Sequence, residues 1–389
     1  MNKYKTLAAL VATALLATAG TASAQQSLIN GGGASLPADL YKGSTDSILP
    51  ANFSYAVTGS GTGKKAFLEN TIGLFITNGT GNVHFAGSDS VLSSTEITNY
   101  NNSALAGTLG PVLQLPSVAT SVTVPYNKAG GDLNLDVAKI CGVFSGKIND
   151  WSQLDSARSG AIKVIYRGES SGTSELLTRF LTAACVNEDL SATRLVGGKF
   201  QVKSTFADLF TRDSNNALPA FLEAAPATGG TSLYNRVYQV AGAIGYVGPD
   251  VVPNLQDATK IAKVKGFSPD EVSVAATLNT IAPPTGADIS NPAKWVPVFT
   301  NPTAGYPIAG YTNLLFAQCY RTLPQRQAVR TFLEKHYNLG VDGNNDGAVR
   351  AHGFIPLTQT WREAVANNLI SATPATGLGN ASTCAGIGR

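Results

Sequence analysis

Residues 162–181 read IKVIYRGESSGTSELLTRFL, and the hydrophobic period changes inside this stretch. Ile162, Val164, Ile165 and Tyr166 form a short apolar, β-branched run, whereas Leu176, Leu177, Phe180 and Leu181 recur at helical spacing. The pattern predicts a buried strand, a tight polar turn and a helix. Ser171, Gly172 and Thr173 are then expected to leave backbone N–H groups free in the first helical turn, with the positive end of the helix dipole behind them. Such a terminus attracts anions. Arg167 closes the strand and adds a planar guanidinium fork, which suits a tetrahedral oxyanion better than a lysine point charge does. The expected ligand is small and negatively charged.

The same residues also spell G-x-S-x-G, from Gly168 to Gly172, in the strand-turn-helix context of a nucleophile elbow. An elbow serine needs a histidine base. The chain has only His84, His336 and His352, and none stands in a recognisable catalytic motif. An arginine before the turn and a second hydroxyl after it serve anion binding directly, so the anion cradle is the preferred reading. A capped helix that binds nothing is the plain alternative.

Working outward, similar turns recur. Ile29 to Pro37 reads as a strand entering a glycine-rich turn, with Ser35 placed to cap a helix from Ala38 to Tyr41 and Pro37 tolerated in its first turn. Ser54 to Val57 is strand-like and is followed by Gly59-Ser60-Gly61-Thr62-Gly63 and a helical run from Lys64 to Glu69. This turn lacks the GK[ST] ending of a nucleotide loop. Val83 to Ser90 is a strand whose polar end carries Asp89. In open α/β sheets the ligand crevice lies beyond the carboxyl ends of strands, which makes Asp89 and Arg167 expected neighbours.

Composition narrows the classes. Lys3 and Lys5 precede an apolar run from Leu7 to about Ala19, and Ala22-Ser23-Ala24 has the character of a cleavage site, so residues 1–24 read as a secretory signal peptide. The mature chain then starts near Gln25, and its net charge falls from +3 to +1 with the loss of those two lysines. So weak a balance argues against nucleic acid or an anionic membrane as partner. No later stretch approaches the ~20 apolar residues of a membrane span. The remaining length favours two domains over one. Four cysteines in an exported chain allow three pairings, of which Cys141 with Cys185 and Cys319 with Cys384 keeps each bond within one sequence region. The spacings match no zinc pattern.

Further along, Val112 to Pro125 is a long β-rich run able to cross between lobes. Ala243 to Val247 is another apolar run, and Ser268 to Pro297 reads as an irregular, proline-rich return path. Arg326 to Tyr337 is an amphipathic helix with His336 on its core face, and a last helix is expected near Trp361 to Leu369. Asp342, Asn344, Asp346 and Gly347 match the opening of a calcium loop, but its twelfth position is Gly353 instead of a bidentate glutamate, and a solvated turn is the better reading.

GGGASLP, GSGTGKKAFL, VHFAGSDS, CGVFSGKINDW, RGESSGTSE, GAIGYV and the closing CAGIGR together resemble the DING-type phosphate-binding proteins, relatives of the periplasmic phosphate-binding component of bacterial ABC transporters. The likeness runs from about Ile29 to Arg389. It implies an α/β, two-lobed periplasmic-binding-protein fold of type II with the ligand cleft between lobes. Residues 25–124 and 300–389 would form one lobe and 125–299 the other. Carried over by motif, the phosphate contacts are Ser35, Leu36, Ser60 and Asp89 from one lobe and Arg167, Ser171, Gly172 and Thr173 from the other. The family's opening Asp-Ile-Asn-Gly stands here as Leu28-Ile29-Asn30-Gly31, and its usual first-turn threonine is Ser35, which keeps the hydroxyl.

These residues imply a selection rule. Phosphate keeps a proton at neutral pH and sulfate does not, so a buried Asp89 can accept a hydrogen bond from one and meets only lone pairs on the other. Arg167 would neutralise charge, with Glu169 orienting it, while hydroxyls and the Leu36 and Gly172 backbone N–H groups donate. The expected function is extracytoplasmic, periplasmic or secreted capture of inorganic phosphate, and of arsenate, by a monomer without cofactor or metal. An ABC permease is the candidate partner. The alternative is a phosphomonoesterase using the same cradle, although the sequence displays neither a metal cluster nor a serine with an evident base.

Overall fold

Glycines, not large side chains, make up the strand that leads into the Ser35 turn, and the reason lies in how tightly its neighbours stand. The computed structural model describes residues 27–340 and 344–389. The signal-peptide assignment to residues 1–24, and Asp342 of the calcium-like turn, lie outside them. Strands β1 (Gly31–Gly33), β2 (Ala56–Val57), β3 (Phe85–Ser88) and β4 (Val112–Ser121) belong to one sheet. β1 lies between β2 and β3, parallel to both. A Cβ at Gly31 would fall 2.1 Å from Phe85 Cε1, and Gly33, at φ +132°, has Gly87 O where its own Cβ would be. The expected glycine-rich turn after a strand is therefore the strand itself.

Strands β5 (Asn134–Leu135) and β9 (Lys263–Val264) form a parallel pair, and β6 (Lys163–Tyr166), β7 (Leu222–Ala224) and β8 (Ala243–Ile244) a second parallel sheet in the order β7-β6-β8. The late strand β10 (Ala309–Ala317) returns to the first sheet and inserts antiparallel between β3 and β4, giving β2-β1-β3-β10-β4. Both β4 and β10 are buried along their whole length, β10 between two strands and β4 at the sheet edge, where Ile355 pairs with Ala119. Pro116 is tolerated inside β4 because the ladder shifts register there.

The chain passes between the sheets where Thr123 pairs with Val247, donating its N–H at 2.8 Å and accepting at 3.1 Å. Tyr306 Oη donates to Val122 O from the returning segment. The β-rich run from Val112 thus forms an edge strand of the first sheet and leads on, past Thr123, toward the second.

Helices follow the strands: α1 (Ala38–Lys42), α2 (Ser60–Leu68), α3 (Ser94–Asn101), α4 (Ala104–Leu109), α5 (Val137–Ser145), α6 (Gly172–Ala184) and α7 (Gly230–Gln239). α2 begins at Ser60, four residues before the expected Lys64, because Gly63 must lie flat against Gly33 and the helical turn allows it. The return path read as irregular contains α8 (Glu271–Leu278), started by the Asp270 side chain accepting from Ser273 N–H at 2.9 Å. Then come α9 (Leu323–His336), α10 (Asp346–Ala351) and α11 (Gln359–Val365), the last continued by a wider turn to Ile370. His336 faces the core as expected, with Nε2 against Ser117 O at 2.9 Å. Both disulfides, Cys141–Cys185 and Cys319–Cys384, are the expected pairs. No helix among the described residues is long and apolar enough to cross a membrane.

Candidate functional site

Three elements from the first sheet and two from the second meet at one buried place. From the first sheet come the turn after β1, with Ser35 and Leu36, the start of α2 at Ser60, and Asp89 directly beyond β3. From the second come Arg167, directly beyond β6, and the start of α6. Asp89, Ser60, Arg167, Ser171 and Thr173 are all at most 2% exposed. Ser35 is half-buried.

Arg167 bridges the two sides: its Nη2 donates to Ser35 Oγ at 3.1 Å. Glu169 holds the guanidinium through Nε and the same Nη2 that donates to Ser35, and its engaged carboxylate oxygen also accepts from Gly229 N–H at 2.9 Å. Burial works against the Glu169 charge, but these two partners outweigh it and keep the carboxyl below its usual range. The Arg167 backbone N–H donates to Tyr246 Oη at 3.2 Å, and Tyr246 Oη in turn shares a 2.7 Å hydrogen bond with Ser174 Oγ. The strand end and the helix start are thereby fixed to each other.

Opposite them, Ser60 Oγ accepts from Asp89 N–H at 3.0 Å and lies 3.4 Å from Asp89 Oδ2. Burial pushes the Asp89 carboxyl up to about 6, against the pull of the Thr312 hydroxyl, Arg167 and Ser60. Its Oδ1 has no hydrogen-bond partner among the described residues, nor has Thr173 Oγ1. Such orphaned atoms are costly in a sealed interior unless a ligand engages them. Helix α6 meets Asp89 head-on: a Cβ at Gly172 would sit 2.1 Å from Asp89 Cβ and 2.5 Å from Oδ2.

Two sequence expectations need correction. Ser35 does not cap α1: Pro37 occupies the cap position, and the Ser35 hydroxyl is turned to Arg167. Nor is the Ser171 N–H free, since it donates to Ser204 O at 2.8 Å; the Ser171 hydroxyl accepts from Ser174 N–H as the α6 cap, leaving its own hydrogen free to turn. The nucleophile-elbow alternative finds no base. Ser170 Oγ is bonded to Ser204 Oγ, and His84 accepts from Asn30 N–H while His352 lies against Thr45 O. Asp346, from the calcium-like turn, is paired with Arg362 at 2.6 Å, and among the described residues no group of histidine, cysteine and acidic side chains is placed to hold a metal. Sequence reasoning gave no role to Tyr246, Thr312 or Asp250, which the neighbouring sheet strands bring in from distant positions.

Buried carboxylate, guanidinium and helix starts, contributed by two sheets flanked by helices, are the arrangement of a two-lobed periplasmic-binding-protein fold of type II. The model of the PBP superfamily domain matches residues 12–334. The chain belongs to that superfamily, and within it to the DING-type phosphate-binding proteins. A phosphate-binding protein from Stenotrophomonas maltophilia is 62% identical, with a TM-score of 0.85 over 93% of this chain and 99% of that one. A high affinity periplasmic phosphate-binding protein, PfluDING, solved with phosphate bound, is 43% identical with a TM-score of 0.81 over the same shares. Alkaline phosphatase L of Pseudomonas aeruginosa is 47% identical, covering 97% of this chain and 98% of its own length.

Proposed function

We propose that the protein captures inorganic phosphate outside the cytoplasm, in the cleft between its two lobes. The observation that carries this is a buried, partly orphaned carboxylate at Asp89 on one side of that cleft and, on the other, the buried Arg167 guanidinium, which reaches across to Ser35. In this reading residues 25–124 and 300–389 form one lobe and residues 125–299 the other. Arg167 neutralises the anion and donates to it. Ser171 and Thr173 hydroxyls and the Gly172 N–H complete the shell from α6, while Ser35, Leu36 and Ser60 donate from the facing lobe. Asp89 accepts the proton that phosphate or arsenate carries and sulfate lacks. Its burial makes the discrimination steep, because an unpaired contact between desolvated negative charges costs several kcal/mol.

Titration calorimetry tests this: phosphate should bind tightly, and a large excess of sulfate should leave the isotherm unchanged. Arg167→Ala should weaken phosphate binding by roughly 100-fold or more, the scale of losing a desolvated charge partner. Equal competition by sulfate would remove Asp89 from the role of filter.

A second reading, a phosphomonoesterase, is favoured by the 47% identity to alkaline phosphatase L. The same cradle would hold the phosphoryl group of an ester. Purified protein assayed with a chromogenic phosphate ester should then show turnover that Arg167→Ala abolishes; turnover that survives Arg167→Ala comes from elsewhere and would count against this reading. Disulfides and the family to which the chain belongs support a periplasmic or secreted location, with an ABC permease as the partner to test by reconstitution.

A further inference from the structure

Beyond β8 the chain runs through Gly248 to Asp250, and this turn comes back against the first lobe's ligand turn. A Cβ at Gly248 would fall 2.1 Å from Leu36 Cδ1 and 2.3 Å from Asp250 Oδ1. Only the absence of a side chain at 248 lets the Leu36 side chain and the Asp250 carboxyl occupy adjoining space. The Asp250 backbone is held from behind, where Gly353 packs on Pro249 O and Asp250 N. Its Oδ1 is sealed from solvent and has no hydrogen-bond partner among the described residues. Asp250 also forms none of the ion pairs of the described residues.

A carboxyl in that position is neither a helix cap nor a structural bridge. The charged groups that act on it are those of the site, Asp89 and Arg167, together with Asp39 on α1. On its outer side the groove of about 470 Å³ that it helps to line also carries Asp270, Glu271, Arg350 and His352. Arg350 is engaged there with Glu271 at 3.2 Å, and His352 with Thr45 O at 3.3 Å, so neither is turned over to Asp250.

We propose that Asp250 is a positioning residue of the anion site: a second acid, set beside the Leu36 turn, that limits how much negative charge the closed cleft accepts and so sets the pH range of phosphate capture. This rests on the phosphate-capture reading above. Asp250 as a whole is half-buried, but the enclosure of its carboxyl, reinforced by Asp89 and Asp39 and opposed by its own backbone N–H and by Arg167, pushes it up to about 7. Below that pH it is neutral and indifferent to the ligand. Above it, a second negative charge stands next to a site that must hold a phosphate dianion, and affinity falls. Binding the dianion there draws a proton back onto Asp250.

The test is calorimetry of the mature protein with inorganic phosphate between about pH 5.5 and about pH 8.5, in buffers of different ionisation enthalpy. The wild type should lose affinity toward the alkaline end and take up a fraction of a proton per phosphate bound there. Asp250→Asn should remove both effects, so that the ratio of its affinity to that of the wild type grows roughly 3- to 10-fold across the range. Asp250→Glu, which keeps the charge, should retain the alkaline loss. A wild type that takes up no proton near pH 8, a measurement that needs no variant, overturns the proposal. So does an Asp250→Asn effect that is uniform across pH, the mark of a structural role. A wild type that binds no phosphate at any pH fails the proposed function first and this inference with it, which separates the two failures.

Discussion

At the scale of single residues, the site carries a cost that the fold must offset elsewhere. Asp89 is held above its ordinary carboxylate range by burial, up to about 6. Between the ordinary value and that pH the native state keeps a proton that the unfolded chain has lost, so stability falls as pH rises through this window. At neutral pH and above, an ionised, partly orphaned carboxylate is carried without its ligand. Asp89→Asn should therefore stabilise the phosphate-free protein at about pH 8, by an amount on the order of 3 kcal/mol, and should bring no such gain at about pH 4. Urea denaturation in phosphate-free buffer measures this; equal effects at both pH values would show that Asp89 is not the strained group. The same variant should blur the choice between phosphate and sulfate more than it weakens phosphate binding. Asp89 was legible in the sequence as a polar residue closing an apolar run, and so was Arg167. Tyr246 and Asp250 were not, because an apolar tyrosine before a Gly-Pro-Asp turn looks like any core residue before any surface turn until the fold sets it against the helix start.

At the scale of elements, the start of α6 is where two requirements meet. In the proposed function the helix presents its N-terminus to the ion, and it approaches Asp89 closely enough that residue 172 can have no side chain. Alanine suits a helix better than glycine by up to about 1 kcal/mol. Gly172→Ala should therefore fold with an unchanged or slightly raised melting temperature, yet lose phosphate affinity by roughly 100-fold because the lobes can no longer close on the ion. Small-angle scattering should show the wild type contracting on phosphate addition and the variant staying extended. A contraction in the variant equal to that of the wild type would mean that Asp89 and α6 do not meet in the bound form. Element types were readable from period alone for β6, α6 and α9, where apolar spacing is regular over several turns. Their edges were less so: α2 starts at Ser60, where Gly63 packs on Gly33, and α8 hides in a proline-rich stretch because its Asp270 cap is followed by a helix of only eight residues.

At the scale of the whole molecule, the first sheet is completed by β10, more than two hundred residues after β3, and the second lobe is enclosed within that interval. The crossing at Thr123 and Val247 marks the connection that would have to bend for one lobe to close on the other under the proposed function. The strand-to-helix change at the Arg167 turn was determined by the sequence, because the change of period, the small residues at the junction and the polar group that closes the strand are local properties of the chain. The pairing of cysteines within their own regions was of the same kind. The details of the Ser35 turn and of the Ser171 N–H depended instead on distant partners. Which turns face one another was decided only by tertiary structure. The distance between Arg167 and Ser35 is set by sheet order and lobe closure, and the isolation of Asp89 and Asp250 from partners is a property of the packing around them, since burial and its electrostatic consequences exist only once distant segments have excluded water from between themselves.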